Sequence, residues 1–563
     1  MAQDFDFDAI VVGSGITGGW SAKQLTEAGL KVLMLERGPD IPHQTGYTTE
    51  MKAPWDMPFR GEGDEELYQR EYAVQRLNRH FTEFTQDHFV NDAENPYQTG
   101  EGSDFNWFRS YNLGGRSLTW GRQSYRWSDY DFDANRRDGF GTDWPIRYAD
   151  IAPWYDLVEE FIGVSGSMEG LPQLPDGKFQ PPMALNAVEA AVRERISARW
   201  PERRLMVGRT ANLTEAKEGR AKCQYRAICQ RGCSFGAYFS TQSSTLPAAQ
   251  AAGNLTLVTD AVVEKVDYDP ATQRVTGVRW IDKAEGRRRS ASARMVFLNA
   301  GSFNSVHLML NSASEAMPAG LANSSGVLGT HIMDHPSTLS VAALMPGFED
   351  VTTFGNRPTG TVIARYRNMD EMDGEGHTRG FSYQGGALQS AWVRGKREAG
   401  LGAEYKNSLR APGPWRMVLV AFADCMPRET NRLMLDRVKV DADGIPQLKI
   451  DFAFGAEEHA ALAQAKADAA DMMTHAGGQV LMGFDRPGTG GGAIHEMGGA
   501  RMGHDPATSV LNKWSQAHDV PNLFVTDGAQ MSSSACQNPS LTYMALTARA
   551  CDHAVQLLRE GRI

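Results

Sequence analysis

The sequence predicts an α/β protein: a parallel, helix-flanked nucleotide-binding sheet joined to a second unit of antiparallel strands backed by helices. Two observations carry that reading. The first forty residues run strand, glycine turn, helix, strand. Between residues 337 and 494, apolar runs such as Val418–Asp424 and Arg432–Asp436 are followed by an Ala-rich amphipathic stretch of helical period, Glu457–Ala476.

The opening element is the most specific. Asp8-Ala9-Ile10-Val11-Val12 is apolar and β-branched, and Gly13-Ser14-Gly15-Ile16-Thr17-Gly18 follows at once. Ser21–Ala28 reads as a helix, and Lys31–Glu36 as a second buried strand that ends on an acid. Gly13 allows the tight turn, Gly15 lets a pyrophosphate approach the backbone, and Gly18 lets helix and strand pack closely. The helix start offers free N–H groups and partial positive charge to that phosphate. Glu36 stands where a carboxylate can accept ribose hydroxyls. An adenine dinucleotide is expected, held by Gly13, Gly15, Thr17, Gly18 and Glu36. The motif alone leaves FAD and NAD both open.

A chain of 563 residues allows two or more domains with ample core. A formal charge of −11 and the absence of a basic block exclude a nucleic-acid surface. No run of 18 apolar residues spans a membrane. The acidic start, Met1–Asp6, lacks a basic n-region, an apolar h-region and a twin-arginine pair, so no export signal is expected. Cys223, Cys229 and Cys233 are bunched, whereas Cys425, Cys536 and Cys551 are scattered, which is no secreted disulfide framework.

Residues 37 to about 105 are polar and aromatic-rich, with helical potential over Glu65–Arg79, and read as an excursion covering the cofactor or facing a partner. Asn112–Gly121 is a second glycine-rich loop, holding Gly115 and Ser117. Asp143-Trp144-Pro145-Ile146-Arg147-Tyr148 leads through Trp154-Tyr155 into a helix from about Asp156. Leu185–Trp200 reads as a surface helix. Cys223, Cys229 and Cys233 have the spacing C-x5-C-x3-C, with Gly232 and Gly236 giving the chain freedom to wrap. Zinc wants a fourth ligand, and none stands nearby, whereas three thiolates suit a three-iron, four-sulfur (3Fe-4S) cluster. Strands follow around Val262, and Met295–Ser305 is a buried strand ending at another glycine turn. His331 and His335 read as a structural pair beside Pro336, and residues 349 to 410 as a lid poor in apolar groups. The tail holds Ile494-His495-Glu496, a strand ending on Asp527-Gly528, and Asn538-Pro539-Ser540, which opens a helix to about Glu560.

The loop Gly114-Gly115-Arg116-Ser117-Leu118-Thr119-Trp120 and the Asp143–Tyr155 segment, beside the opening nucleotide motif, resemble those of the glucose–methanol–choline (GMC) flavoprotein oxidoreductases. The sugar-oxidising branch is most similar, and the resemblance covers nearly the whole chain except about 40–105 and 345–415. It implies FAD rather than NAD, bound non-covalently because the loop has no histidine. It implies FAD contacts at Gly115, Ser117, Val262, Asp527, Gly528 and Ser540, besides those of the opening turn. It implies an FAD domain made of 1–45, 215–335 and 495–563, with the 106–125 loop on the flavin. Residues 46–214 and 336–494 then form the substrate domain and its excursions. The cysteine spacing is similar to that of family members that carry a 3Fe-4S cluster in the loop 222–236.

Alcohol oxidation needs a hydride acceptor, which is the cofactor's part, and a base for the hydroxyl proton. By resemblance His495 is that base and Asn538 its hydrogen-bonding partner. The expected activity is oxidation of a sugar's secondary hydroxyl, first of all C3 of a glucoside, with electrons relayed through the cluster to an acceptor such as a cytochrome c. Glucose C1 or gluconate C2 oxidation is the alternative within enzymes; a non-catalytic electron-transfer or assembly subunit is the alternative outside them. A small subunit bearing a twin-arginine signal is an expected partner, giving a periplasmic location, with a cytoplasmic one as the alternative.

Overall fold

In the computed structural model, residues 5–353, 355–396 and 398–563 are described. Three sheets organise them. The first has the order β5-β2-β1-β8-β7-β6, with β16 also on β8. Its parallel centre comprises β1 (Phe7–Val12), β2 (Val32–Leu35), β5 (Leu255–Val258), β16 (Leu523–Val525) and the second half of β8 (Arg287–Leu298). The first half of β8 instead pairs antiparallel with β7 (Arg274–Asp282), which pairs with β6 (Ala261–Asp269). Ala9, Ile10 and Val11 of β1 are fully buried, as a central strand covered on both faces requires. The helix Ile16–Glu27 lies against the C-terminal helix Ser540–Arg559.

The turn after β1 is as tight as its sequence demands. Gly13 has φ +93°, and a Cβ there would meet the carbonyl oxygen of Asn299 at 2.5 Å. A Cβ on Gly18 would come within 2.0 Å of the carbonyl oxygen of Gly13. At Gly15 nothing lies within 4 Å, so the space beside it is open.

The second sheet has the order β15-β9-β12-β11-β10-β4, with all its pairings antiparallel. It contains β4 (Leu205–Val207), β9 (Ser337–Leu344), β10 (Thr361–Ile363), β11 (Phe381–Gln389), β12 (Trp415–Ala423) and β15 (Gln479–Met482). The helices Ala187–Arg199 and Ala456–His475 share a core with it, in which Val192, Leu462 and Met417 are fully buried. No helix is long and apolar enough to cross a membrane among the described residues.

Three expectations change here. The helix at 185–200 is no surface helix, because Val188, Val192 and Ile196 are all fully buried. The stretch 349–410 is more than a lid: it supplies β10 and β11, whose burial comes from neighbouring strands rather than from local apolarity. Arg432–Asp436, expected among the strands of the substrate domain, is not in the second sheet. It belongs to β13 (Arg432–Val440), which pairs with β14 (Pro446–Asp451) and, through it, with β3 (Gln98–Thr99) in a separate three-stranded sheet. Alternation identifies a strand but not its partner.

Gly18→Ala is expected to cost about 3 kcal/mol, the upper end of the usual overpacking range, since backbone rather than a mobile side chain blocks the new methyl group. Gly15→Ala should leave the unfolding temperature of the cofactor-free protein unchanged. Scanning calorimetry on the two variants checks the contrast.

Candidate active site

A cavity of about 1260 Å³ runs between the first and second sheets. Common small-molecule pockets hold ~300–1,000 Å³, so this one has room for a dinucleotide and a substrate together. Gly13, Gly15 and Thr17 line one end, where the open space beside Gly15 and the uncapped start of the helix Ile16–Glu27 form a cradle for an anion. Gly18 lies behind that wall and holds helix to strand.

Ser14 ties the two glycine loops together. Its backbone N–H donates to Glu36 Oε2 at 3.1 Å, its hydroxyl donates to the same oxygen, and that hydroxyl accepts from Gly114 N at 2.8 Å. Glu36 also accepts from Gly38 N at 3.0 Å. Burial raises its pKa, and the donors from Ser14 and Gly38 oppose the rise. A Cβ on Gly115 would lie 3.7 Å from Gly15 Cα, so the loops meet across the cavity floor. Ser117 Oγ accepts from Thr241 N at 3.1 Å and lines the same wall. Val262, Asp527, Gly528 and Ser540 also line the cavity. Asp527 accepts from Gly301 N at 3.0 Å and Ser305 Oγ at 2.5 Å, and burial pushes its pKa up to about 6. These residues fit an FAD: a pyrophosphate at the open turn, a carboxylate at the end of β2, and the start of the helix Ser540–Arg559 at the far end.

At that far end stand His495 and Asn538, with Asn538 Nδ2 3.0 Å from His495 Nε2. Asn538 Oδ1 accepts from Gln384 Nε2 at 2.5 Å, which fixes the amide's orientation. The other ring nitrogen, Nδ1, faces Nδ1 of His335 at 3.1 Å. His335 Nε2 lies 2.6 Å from the carbonyl oxygen of Ala535, an acceptor only, so that nitrogen carries a proton. His335 is neutral, its pKa pushed down to about 4 by burial, and its Nδ1 is therefore the acceptor. His495 must then donate from Nδ1, and its Nε2 keeps a lone pair on the cavity side. Burial first, then competition for a proton with the neighbouring His335 imidazole and the charge of Arg116, hold the His495 pKa well below the ordinary imidazole value.

Neither His335 nor Gln384 was foreseen in this role. His335 does not pair with His331, whose φ is +58° and whose ring contacts Thr330 Oγ1 at 2.8 Å. Two further charged groups support the imidazole. Arg116, on the second glycine loop, pairs with Glu496 at 2.7 Å. Asp334 accepts from His495 N at 3.0 Å and from Ala493 N at 3.3 Å. Between those two donors stands Ile494 at φ +63°, a left-handed conformation that a β-branched residue resists. Such strain costs of order 1–3 kcal/mol and persists only where neighbours hold it. Asp334 clamps the turn that aims the imidazole.

The cysteine loop sits at one side of the cavity, where Tyr225 and Gln230 line the wall. All three thiols are half-exposed. Burial first, then the neighbouring Cys229 and Cys233, raise the Cys223 pKa. Among the described residues, no three His, Cys, Asp or Glu side chains are drawn together as a single metal ion requires. The excursion after β2 straps this loop down. Glu50 Oε1 accepts from Arg226 Nη2 at 2.5 Å and Ser234 N at 3.0 Å. Arg231 Nη1 donates to Lys52 O at 2.9 Å, and a Cβ on Gly232 would strike the Tyr47 ring at 2.3 Å.

Comparison with known proteins bears on this arrangement. Family models described as GMC oxidoreductase match residues 7–337 and 427–547. The 2-methyl-1,2-propanediol dehydrogenase of Mycolicibacterium austroafricanum is 28% identical over 97% of this chain and 94% of its own. The fructose dehydrogenase large subunit of Gluconobacter japonicus is 26% identical over 98% of each. The gluconate 2-dehydrogenase flavoprotein of Pantoea cypripedii is 26% identical over 96% of this chain and 92% of its own. Among solved structures, an Aspergillus oryzae formate oxidase has the same fold at TM-score 0.64, with 14% identity and 100% coverage of both chains.

Burial and the neighbouring Glu496 charge push the Asp334 pKa up to about 7, above its ordinary 3.8. The native state then holds a proton that the unfolded chain loses first, so this group's contribution to stability falls as pH rises from about 4 to 7. Asp334→Asn should flatten that dependence in denaturant titrations at pH 5 and pH 8. Its cost should shrink in an Ile494→Gly background, where the turn needs no clamp.

Proposed function

The chain belongs to the GMC oxidoreductase family, which acts on CH–OH groups with FAD, and from that premise we propose that it is a sugar dehydrogenase oxidising a secondary hydroxyl. C3 of a glucoside is the carbon we assign, giving a 3-keto-glycoside. The observation that carries the proposal is the His495–Asn538 pair, 3.0 Å apart, at the end of the cavity opposite the glycine turn.

FAD bound in the cavity supplies the hydride acceptor. Gly13, Gly15, Thr17 and Glu36 would hold its adenosine diphosphate half, with Gly18 packing the helix behind them and Val262 at the adenine. Gly115, Ser117, Asp527, Gly528 and Ser540 would hold the flavin half. His495 Nε2, with its lone pair fixed by the chain through His335 to Ala535, takes the hydroxyl proton of the substrate. Asn538 Nδ2 donates to the same hydroxyl oxygen, its amide held by Gln384. Asp334 and Glu496 offset the positive charge that forms on the imidazole. Phe422, 6.0 Å from the His495 ring, helps to keep water from the base.

Cys223, Cys229 and Cys233 would hold a 3Fe-4S cluster, which supplies one-electron transfer to an external acceptor. The bunching of the three thiols in the sequence and their half-exposure support this reading. A cluster spreads its thiolates wider than a single ion does, so the lack of a compact ligand set is compatible with it. A cytochrome c and a small subunit with a twin-arginine signal are the proposed partners, in the periplasm, with a cytoplasmic life as the alternative. One relative is named as a large subunit, which fits a multi-subunit assembly.

His495→Ala should keep FAD bound and slow anaerobic flavin reduction by methyl glucoside ~10²–10⁴-fold. Methyl glucoside has no free anomeric hydroxyl, so bleaching by the unaltered enzyme excludes C1 oxidation, and NMR of the product identifies the carbon. Near-normal reduction in the variant would remove His495 from the role. Separately, Cys229→Ser should abolish iron content and transfer to external acceptors while flavin reduction continues. Iron analysis decides whether a cluster exists.

A further inference from the structure

We propose that a small second cavity, beside the loop that carries Asn538, is a site for one resident water. That water joins the Arg365 guanidinium to the Gln537 amide, and through it the two act as positioning residues for Asn538. The positioning role rests on the reading of Asn538 as donor to the substrate hydroxyl; the water site rests on geometry alone.

The second cavity measures about 10 Å³. A single water needs ~10–15 Å³ and two to four polar partners, so this space takes one water and nothing larger. Leu174, Val362 and Ala364 supply its apolar wall, and Arg365, Ser382 and Gln537 its polar one. All six are buried. Two of them carry a buried polar atom with no partner among the described residues: Arg365 Nη1 and Gln537 Oε1. The first is a donor only and the second an acceptor only. The rest of each side chain is already engaged. Arg365 Nε donates to Arg367 O at 3.0 Å, and its Nη2 donates to Asn368 O. Gln537 Nε2 donates to Gln173 O at 3.0 Å, and Gln173 Nε2 donates to Arg365 O at 2.9 Å. A water that accepts from Nη1 and donates to Oε1 closes the ring that Gln173 begins. Ser382 Oγ spends its own proton on Cys536 O at 2.7 Å and keeps lone pairs for the water's second O–H. A guanidinium N–H and an amide carbonyl buried without partners are costly, and one water satisfies both.

The site underlies the proposed catalytic pair. Ser382 and Gln384 are two apart on β11 and therefore share a face of the strand. From that face Ser382 holds Cys536, and Gln384 Nε2 holds Asn538 Oδ1 at 2.5 Å. Gln537 lies between these two anchors. Val362 of β10 is the cross-strand partner of Gln384, and among the described residues Gln384 alone lines both cavities. The carbonyl oxygen of Ala535 is bonded by His335. Each residue from 535 to 538 thus has a buried polar anchor, and the water completes the one at Gln537. The anchors matter because Asn538 Nδ2 must stay beside His495 Nε2, 3.0 Å away, to meet the same hydroxyl. A misplacement of ~1 Å in such a group can cost ~10²-fold in rate.

A high-resolution crystal structure of the FAD-loaded enzyme should show one water within hydrogen-bonding distance of both Arg365 Nη1 and Gln537 Oε1. No density there, or a direct bond between the two side chains, overturns the site. Anaerobic flavin reduction by methyl glucoside tests the positioning. Gln537→Met removes the acceptor, and Ala364→Val fills the cavity with methyl groups while altering no polar group. Each should lower the limiting reduction rate ~tenfold with FAD content unchanged. Gln537→Glu keeps the acceptor and should retain most of the rate. Normal limiting rates in Gln537→Met and Ala364→Val, or a Gln537→Glu variant as slow as Gln537→Met, overturn the positioning role. If methyl glucoside leaves the flavin of the unaltered enzyme oxidised, the sugar reading fails and the positioning role with it, whereas the density still decides the water site.

Discussion

The architecture depends on a backbone-to-backbone approach with no room for a single methyl group. Gly18 rides on the carbonyl of Gly13, and Gly13 on that of Asn299, so the first helix, β1 and the end of β8 meet at one crowded point. Because these three chains close there, the helix start and the edge of the sheet face outward into a common hollow. The second glycine loop then closes over that hollow through Ser14, and the tail of the chain packs against its other end. Close packing of this kind tolerates no compromise, since protein interiors lack the free volume to absorb one.

The opposite end of the cavity is organised by strain rather than by fit. Ile494 is held in a conformation it would leave if released, and one buried carboxylate bonds the N–H groups on both sides of it. The same carboxylate is followed in the chain by His335, which sets the protonation of the neighbouring ring. Residues 334 and 335 therefore settle both where the imidazole points and which nitrogen is free. A pair of residues far apart in sequence from His495 fixes its geometry and its tautomer together.

What could be read from the sequence was what depends on local chemistry. The glycine turn, the strand on either side of it and the long helices follow from spacing and period, and His495 and Asn538 from matched motifs. What stayed hidden depends on approach through space. His335 read as half of a pair with His331, because only the folded chain shows that His495, 160 positions away, is the imidazole it meets. The excursion from residue 37 to about 105 suggested no chemistry, yet Tyr47, Glu50 and Lys52 within it brace the cysteine loop. β10 and β11 were concealed in a polar stretch because their burial is conferred by β12 and β4.

The bond between Arg116 and Glu496 joins the loop over the cofactor cradle to the residue beside the imidazole. Equilibria joined in this way act on each other equally in both directions. Whatever steadies the loop on a bound nucleotide also steadies the ring, and whatever orders the ring tightens the hold on the nucleotide. Order at the nucleotide end of the cavity and order beside the imidazole are then coupled through a single ion pair, 2.7 Å long.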